Sequence, residues 1–324
     1  MQVPLWVWLA TIAGVIALLA FSFFSHIRKA HEPTLRQAGA WTAFFVSLSI
    51  IFGCGLGLIW GWDHGLEYFA GYITEYSLSI DNLFVFVLIM SSFAVPAAYQ
   101  QKVLLIGIVI ALILRTIFIL IGGAAIAHFS WVFYIFGLFL ILTALKLMFE
   151  KHDADEEYEP NIMVRVTGKV LPTTDHYDGT KMSTIIDGKR HLTPMMMVMI
   201  AIGMTDILFA LDSIPAIYGL TDTPYIVFTA NAFALVGLIE LYFLIGGLLK
   251  RLVYLSYGLA LVLGFIGLKL INDALHGNTL AFINGGHPIH WTPEISTWLS
   301  LIIIISILAT TTIASLLKSR REMA

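Results

Sequence analysis

Nine apolar segments dominate this sequence, and each is long enough to cross a hydrocarbon core of about 30 Å as an α-helix. The residues are 59% hydrophobic and only 12% charged, a composition that water-soluble domains do not have. The sequence therefore predicts an all-α polytopic membrane protein with about nine transmembrane helices. The predicted helices cover residues 3–24, 38–60, 68–93, 103–127, 131–149, 194–220, 225–249, 254–275 and 295–317.

The positions of Lys and Arg predict the orientation. If the N-terminus lies outside, all of the 18 Lys and Arg residues except three fall in segments on the inner side. The exceptions, Arg115, Lys146 and Lys269, lie within apolar segments, so the outer loops contain none. This asymmetry predicts an N-out, C-in topology.

Similar residue patterns occur twice, in the third to fifth and in the sixth to eighth predicted helices. Asp81 corresponds to Asp212, and FILIGG at 118–123 corresponds to YFLIGG at 242–247. Because each copy contains three helices, an odd number, the two copies enter the membrane from opposite sides. The sequence thus predicts two inverted three-helix repeats, an organisation typical of transporters whose site lies between the repeats.

The repeats divide the chain into five parts. The two repeats are separated by a segment that predicts either a solvated linker or a small ordered flap, since its Asp-Gly pair is a hairpin-turn signal. The predicted parts are two N-terminal transmembrane helices in 1–67, the first repeat in 68–149, a cytoplasmic loop in 150–193, the second repeat in 194–275, and an outer loop, last helix and cytoplasmic tail in 276–324.

Four of the acids within the apolar segments occur in a repeated pattern. Each repeat has two acids six residues apart, Glu75 with Asp81 and Asp206 with Asp212. An ionisable side chain at the bilayer centre costs roughly 2.5 to 3.5 kcal/mol on insertion scales, so such residues usually line a substrate or ion path. Residues seven apart share a helix face, whereas residues six apart do not. We therefore expect Asp81 and Asp212 to need a second inward face or a helix distortion, for which Pro215 is the candidate in the second repeat.

The candidate metal ligands combine these carboxylates with amide and hydroxyl groups. An oxygen-only set suits hard cations such as Mg²⁺, Ca²⁺ or Mn²⁺ better than Zn²⁺ or Cu⁺. Buried carboxylates could also carry protons, so proton antiport is a hypothesis that rests on the carboxylate count. A hydrogen bond between helices is an equal alternative for Asn231. The candidate ligands are Glu75, Asp81, Asn82, Asp206, Asp212, Ser213 and Asn231.

Two further charged residues lie at adjacent aligned positions of the fourth and seventh predicted helices. These are Arg115 and Glu240, which precede the Gly-Gly pairs of their repeats. Their positions predict an ion pair between helices that holds the two repeats together. Control of gating is the alternative interpretation.

Three short stretches carry a resemblance to a known family. They are SIDNLF at 79–84, FALDSIPAI at 209–217 and ANAFAL at 230–235. With these stretches, the region from about residue 75 to 275 resembles the TerC family of integral membrane proteins, including its Alx-like members. The resemblance implies a bacterial inner-membrane protein of the LysE-like transporter group that exports Mn²⁺ from the cytoplasm. It also implies links to metal loading of secreted enzymes and to tellurite resistance.

The resemblance also implies which acids have functional roles. The acidic positions of the family fall on Glu75, Asp81, Asp206 and Asp212. Many family members have a glutamate three residues before the acid that corresponds to Asp206, whereas this chain has Gly203. One carboxylate fewer implies a difference in cation, affinity or coupling.

Two functions of different classes follow from these patterns. The first is a secondary exporter of divalent cations, with Mn²⁺ as substrate and no prosthetic group, that works by alternating access between inverted repeats. The second is a membrane-embedded assembly or stress-resistance partner without transport activity. The sequence contains no nucleotide-binding loop, no His-Glu-x-x-His motif and no arrangement of nucleophiles, so we expect neither enzymatic activity nor nucleic-acid binding.

Overall fold

A computed structural model gives the fold of the protein. It describes residues 1, 3–24, 34–129, 131–149, 172–174, 176–186, 188–245, 254–278, 280, 283–289, 292–293 and 295–322.

Helices make up most of the described chain. Eight of them are long and apolar enough to cross a membrane, and α7 with α8 forms a further candidate span that is bent by 41°. This confirms the prediction of a polytopic all-α membrane protein. The helices are α1 (Leu5–Ser22), α2 (Leu35–Trp60), α3 (Trp62–Ser92), α4 (Ala97–His128), α5 (Val132–Phe149), α6 (Pro194–Tyr218), α7 (Pro224–Val236), α8 (Leu238–Ile245), α9 (Leu255–His276) and α10 (Thr297–Glu322).

The helix break lies at a different position from the one predicted. Helix α6 continues through Pro215 and ends three residues later at Tyr218, so the missing N–H of the proline affects only the last turn. The bent span is instead the one that contains Gly237, between α7 and α8. A Cβ atom on Gly237 would lie 3.3 Å from the Cβ of Phe45, so the glycine also lets α2 approach the bend closely.

The helices of the two predicted repeats pack on each other reciprocally. The first helix of one copy packs against the second helix of the other, which gives the pairs α3 with α7 and α4 with α6. The third helices, α5 and α9, pack on each other along most of their length, and α3 also contacts α6. Helix α2 lies against α3 and α8, while α10 lies against α3 and α9. The central helices α3, α6 and α7 are therefore covered by other helices, as their high content of buried residues requires.

The contact between α5 and α9 brings the two backbones together. A Cβ atom on Gly137 would lie 2.8 Å from the carbonyl oxygen of Gly267, and one on Gly267 would lie 2.9 Å from the carbonyl oxygen of Gly137. Close approach through small residues is the usual way in which membrane helices gain packing energy, because lipid is as apolar as the side chains. These two glycines therefore set the α5–α9 distance.

The described part of the segment between the repeats forms an ordered flap. Strands β1 (Ser183–Ile186) and β2 (Lys189–Leu192) pair in an antiparallel hairpin, and Gly188 in its turn has a φ of 74°. The hydroxyl of Tyr177 donates to the carbonyl of Phe93 at 2.8 Å, and Lys102 Nζ donates to Thr180 Oγ1 at 2.6 Å. The flap therefore binds the turn between α3 and α4. Residues 150–171 lie outside the described residues.

We expect a Tyr177→Phe variant to loosen the flap while the membrane helices stay folded. The variant loses one hydrogen bond of about 1 kcal/mol, which corresponds to roughly a five-fold larger open population. The rate of limited proteolysis within 172–193 measures that population. Tyr257→Phe, at an exposed position of α9, is the matched control, and equal cleavage of the two variants would contradict the prediction.

Candidate functional site

A buried charged cluster lies where α3, α4 and α6 meet. Arg115 on α4 has no exposed surface, and its Nη1 is paired with Glu75 Oε1 on α3. Its Nη2 donates to Asp206 Oδ1 on α6 at 3.3 Å. When the amide oxygen of Asn82 faces Arg115, it accepts from Nη2 at 3.1 Å, and the amide nitrogen donates to the carbonyl of Leu78 at 3.1 Å. One guanidinium thus joins carboxylates from the two predicted repeats.

Helix periodicity explains why these side chains meet. Glu75 and Asn82 are seven residues apart and therefore project from the same face of α3. A Cβ atom on Gly71, one turn before Glu75, would contact Ile217 of α6 and Ala230 of α7 at 3.2 and 3.4 Å. The small residue at position 71 thus lets three helices converge next to the cluster.

Ser213 and Asn231 lie close to this convergence. Ser213 is one turn from Ile217 on α6, and Asn231 follows Ala230 on α7; both are 1% exposed.

Several buried polar atoms around the cluster lack hydrogen-bond partners among the described residues. Buried polar atoms in native proteins nearly always have a partner, so such atoms usually indicate a ligand, an ion or water. The two carboxylates and the one guanidinium leave a net charge of −1, which favours a cation. The atoms are Glu75 Oε2, Asp206 Oδ2, Ser213 Oγ, and both Oδ1 and Nδ2 of Asn231.

The ion pair predicted between Arg115 and Glu240 is wrong in its partner. Arg115 is paired with Glu75 and Asp206 instead. Glu240 lies on α8, just after the bend, and is 1% exposed. The periodicity of an isolated helix could not show which acid Arg115 faces, because that choice depends on how α3, α4 and α6 pack.

In the second motif, Asp212 does not lie on the same helix face as Asp206. Asp212 is partly buried, and its Oδ1 accepts a hydrogen bond of 3.1 Å from Thr143 on α5. Asp212 therefore lies on another face of α6 than Asp206, as the six-residue spacing predicts. Asp81 lies on α3, and its side chain is outside the described residues.

Among the described residues, no three His, Cys, Asp or Glu side chains are placed to hold a metal ion. Glu75 and Asp206 both contact Arg115, which lies between them.

Gly203 occupies the position where the family resemblance leads us to expect a glutamate. A Cβ atom there would lie 3.6 Å from Ile110 on α4, an ordinary van der Waals contact. The side chain would enter the interface between α6 and α4, one turn from Asp206.

A second polar group lies beside the α6–α7 turn. Thr221 Oγ1 donates to Glu67 Oε2 at 2.6 Å, and Lys269 Nζ donates to Asp273 Oδ2 at 2.8 Å. Burial raises the pKa of the Asp222 carboxyl in the turn, Lys269 lowers it, and the nearby Asp273 and Glu67 carboxylates raise it further. This end of the bundle thus carries several acidic side chains close to one basic side chain.

Sequence reasoning missed the bridging position of Arg115 and the role of Thr143. Charge balance was the available signal for Arg115, because a single basic residue within an apolar run needs buried acids as its ion-pair partners. Thr143 gave no signal, because a threonine in a transmembrane helix commonly bonds its own backbone.

Comparison with known proteins supports a family assignment. The model of the family described as "Integral membrane protein TerC family" matches residues 60–323. An uncharacterized membrane protein of Mycobacterium tuberculosis is 50% identical over 318 residues, which cover 97% of this chain and 80% of that protein. An uncharacterized membrane protein of Myxococcus xanthus is 40% identical over 313 residues, covering 97% and 92%.

A further relative has a more specific name. The Escherichia coli K12 protein called "Putative membrane-bound redox modulator Alx" is 40% identical over 258 residues, which cover 77% of this chain and 80% of that protein. No solved structure matches the chain. The family model covers most of the sequence, including both acidic motifs and every residue of the charged cluster. The chain belongs to the TerC family of integral membrane proteins.

Proposed function

We propose that the protein is a secondary transporter that exports divalent cations, with Mn²⁺ as the leading substrate, from the cytoplasm across a bacterial inner membrane. The buried cluster of Glu75, Arg115 and Asp206 is the observation that carries this proposal. Charged groups at such depth are costly and usually mark a substrate or ion path. A purely structural ion pair would need one carboxylate for one guanidinium, whereas this cluster contains two.

The donor atoms around the cluster favour a hard divalent cation. Carboxylate, amide and hydroxyl oxygens are the ligands that Mg²⁺, Ca²⁺ and Mn²⁺ prefer. Glu75 Oε2 and Asp206 Oδ2 lack hydrogen-bond partners among the described residues, as does the hydroxyl of Ser213. These oxygens would supply part of a coordination shell once the two carboxylates turn toward a metal ion.

The helix arrangement supports alternating access. If each helix is replaced by its counterpart in the other predicted repeat, the packed pair α3–α7 becomes the packed pair α6–α4. The pair α5–α9 becomes itself. A pseudo-two-fold relation of this kind, with a bent span near the site, is typical of transporters with inverted repeats. The inverted repeats and the N-out orientation are part of the proposal.

Metal flux into proteoliposomes tests the proposal. We expect the purified chain to move Mn²⁺ down an imposed gradient, with Ca²⁺, Mg²⁺ and Zn²⁺ as comparison ions. Asp206→Asn should reduce the Mn²⁺ flux by about 100-fold, since even residues that only support a metal ligand alter affinity or activity 10- to 100-fold. Asp178→Asn in the flap is the control, and its flux should equal that of the wild type. Flux that is independent of an imposed pH gradient at fixed membrane potential would exclude proton antiport.

Absence of flux for every cation, from folded protein, would favour the assembly or stress-resistance partner instead. The name of the E. coli relative suggests a redox role of that second class. Such a role could not use a disulfide within this chain, because Cys54 is its only cysteine.

A further inference from the structure

Arg115 is the one basic side chain in contact with both Glu75 and Asp206 in the part of the chain that the structure describes. It lies in the middle of α4 and is 0% exposed. Its Nε has no hydrogen-bond partner among the described residues. A guanidinium held for stability alone normally uses its donors in paired, bidentate contacts. Arg115 instead spreads two nitrogens over two carboxylates from different helices.

A divalent cation and Arg115 would need the same two carboxylate groups. With Arg115 in place, the cluster carries a net charge of −1; without any cation, the two carboxylates would carry −2 in a low-dielectric environment. A metal ion beside an undisplaced guanidinium would place three positive charges against two negative ones. Two carboxylates without a cation repel each other, and a metal ion beside the guanidinium places two cations in contact. Both arrangements are costly because charges interact strongly where water is excluded. The two carboxylates are therefore best occupied by one cation at a time, either the guanidinium or the metal ion.

The contacts of Arg115 also cross a boundary between helix pairs. Arg115 and Asp206 lie on the packed pair α4–α6, whereas Glu75 lies on α3, which packs on α7. If the two pairs move relative to each other, the bond to Asp206 stays within one pair and the bond to Glu75 must break. The Glu75–Arg115 contact thus stabilises the arrangement seen here.

From these observations we propose that Arg115 is a built-in cation that competes with the transported metal ion for Glu75 and Asp206. Metal binding displaces the guanidinium, and the metal-free carrier returns across the membrane with Arg115 in the place of the metal. This inference rests on the proposed function. It predicts that Arg115 is required for net transport but not for metal binding.

Measurements of ⁵⁴Mn²⁺ binding and flux on the wild type, Arg115→Gln and Arg115→Lys test the inference. Arg115→Gln should bind Mn²⁺ about ten-fold more tightly, because it lacks the competitor. It should also exchange ⁵⁴Mn²⁺ with unlabelled Mn²⁺ across the membrane, while net uptake into empty proteoliposomes falls by about ten-fold or more. Arg115→Lys keeps a cation at the same position and should keep net uptake.

A structural ion pair would give a different pattern. In that case folded Arg115→Gln would bind Mn²⁺ no more tightly than the wild type, and its exchange and net uptake would fall together; this result would overturn the inference and leave the proposed function intact. If Arg115→Gln does not elute as folded protein, Arg115→Lys decides. One ammonium cannot bridge two carboxylates as a guanidinium does, so its Mn²⁺ affinity should rise a few-fold, and an unchanged or lower affinity would count against the inference.

Failure of the proposed function would be visible in the wild type. If the wild type and Arg115→Gln both fail to bind or move any of the four cations, the proposed function and the inference fail together. If only Arg115→Gln binds Mn²⁺, competition is supported although transport is not.

Discussion

A Glu75→Gln variant is expected to lose Mn²⁺ transport and to be less stable than the wild type by about 3 kcal/mol. Removing one partner of a buried ion pair costs about 3–5 kcal/mol when the other charge is left without a partner. The lower end applies here, since Arg115 keeps Asp206 and Asn82 as partners. Flux into proteoliposomes and the free energy of unfolding in detergent measure the two effects.

A matched control lies on the same helix. Glu67→Gln makes the same change two turns from Glu75, where the side chain is partly exposed and bonded to Thr221 and His64. Its cost should stay below about 1 kcal/mol. The triple variant Glu75→Gln, Arg115→Met, Asp206→Asn removes all three charges of the cluster and should recover stability without recovering transport. Glu75→Gln protein with normal flux would place the ion path elsewhere.

The second large effect concerns the contact between α5 and α9. A Gly267→Ala variant should be less stable by about 3 kcal/mol, the upper end for overpacking, because the added methyl meets a backbone oxygen that cannot move aside. The methyl would lie 2.9 Å from the Gly137 carbonyl and 2.9 Å from Ile141 Cγ1. The yield of folded protein and its unfolding free energy in detergent measure this effect.

Two alanine variants control for the loss of glycine itself. Gly264→Ala is on the same helix, where the methyl would contact Ala144 at an ordinary 3.6 Å, and Gly14→Ala on α1 has no atom within 4 Å of the added methyl. Alanine is the better helix former, so both should be neutral or slightly stabilising. If Gly267→Ala matches these controls, the α5–α9 interface is softer than its backbone contact indicates.

The membrane-spanning architecture was predictable because it depends on local composition. A helix is the simplest structure that satisfies its own backbone groups in lipid, so long apolar runs indicate helices without knowledge of their neighbours. Helix ends were harder to predict: α3 begins at Trp62 and α4 at Ala97, each six residues before the apolar run indicated. Polar residues are tolerated at these helix ends because they lie at the membrane–water interface or contact the flap.

The charged cluster was only half predictable. Spacing alone placed Glu75 and Asn82 on one face and Asp212 on another face than Asp206. Spacing could not choose the partner of Arg115, because that choice depends on the packing of three helices distant in sequence. The bend at Gly237 escaped prediction for a related reason, since an isolated glycine in an apolar run signals either a bend or a close contact.

The Glu75–Arg115 contact also bears on how the chain enters the membrane. Both residues belong to the first three-helix segment, which leaves the ribosome before α6 exists. As a neutral pair they lower the cost of inserting that segment, whereas Asp206 arrives later as an unpaired acid. We therefore expect the first three-helix segment to insert before α6 is made, after which Arg115 can also pair with Asp206.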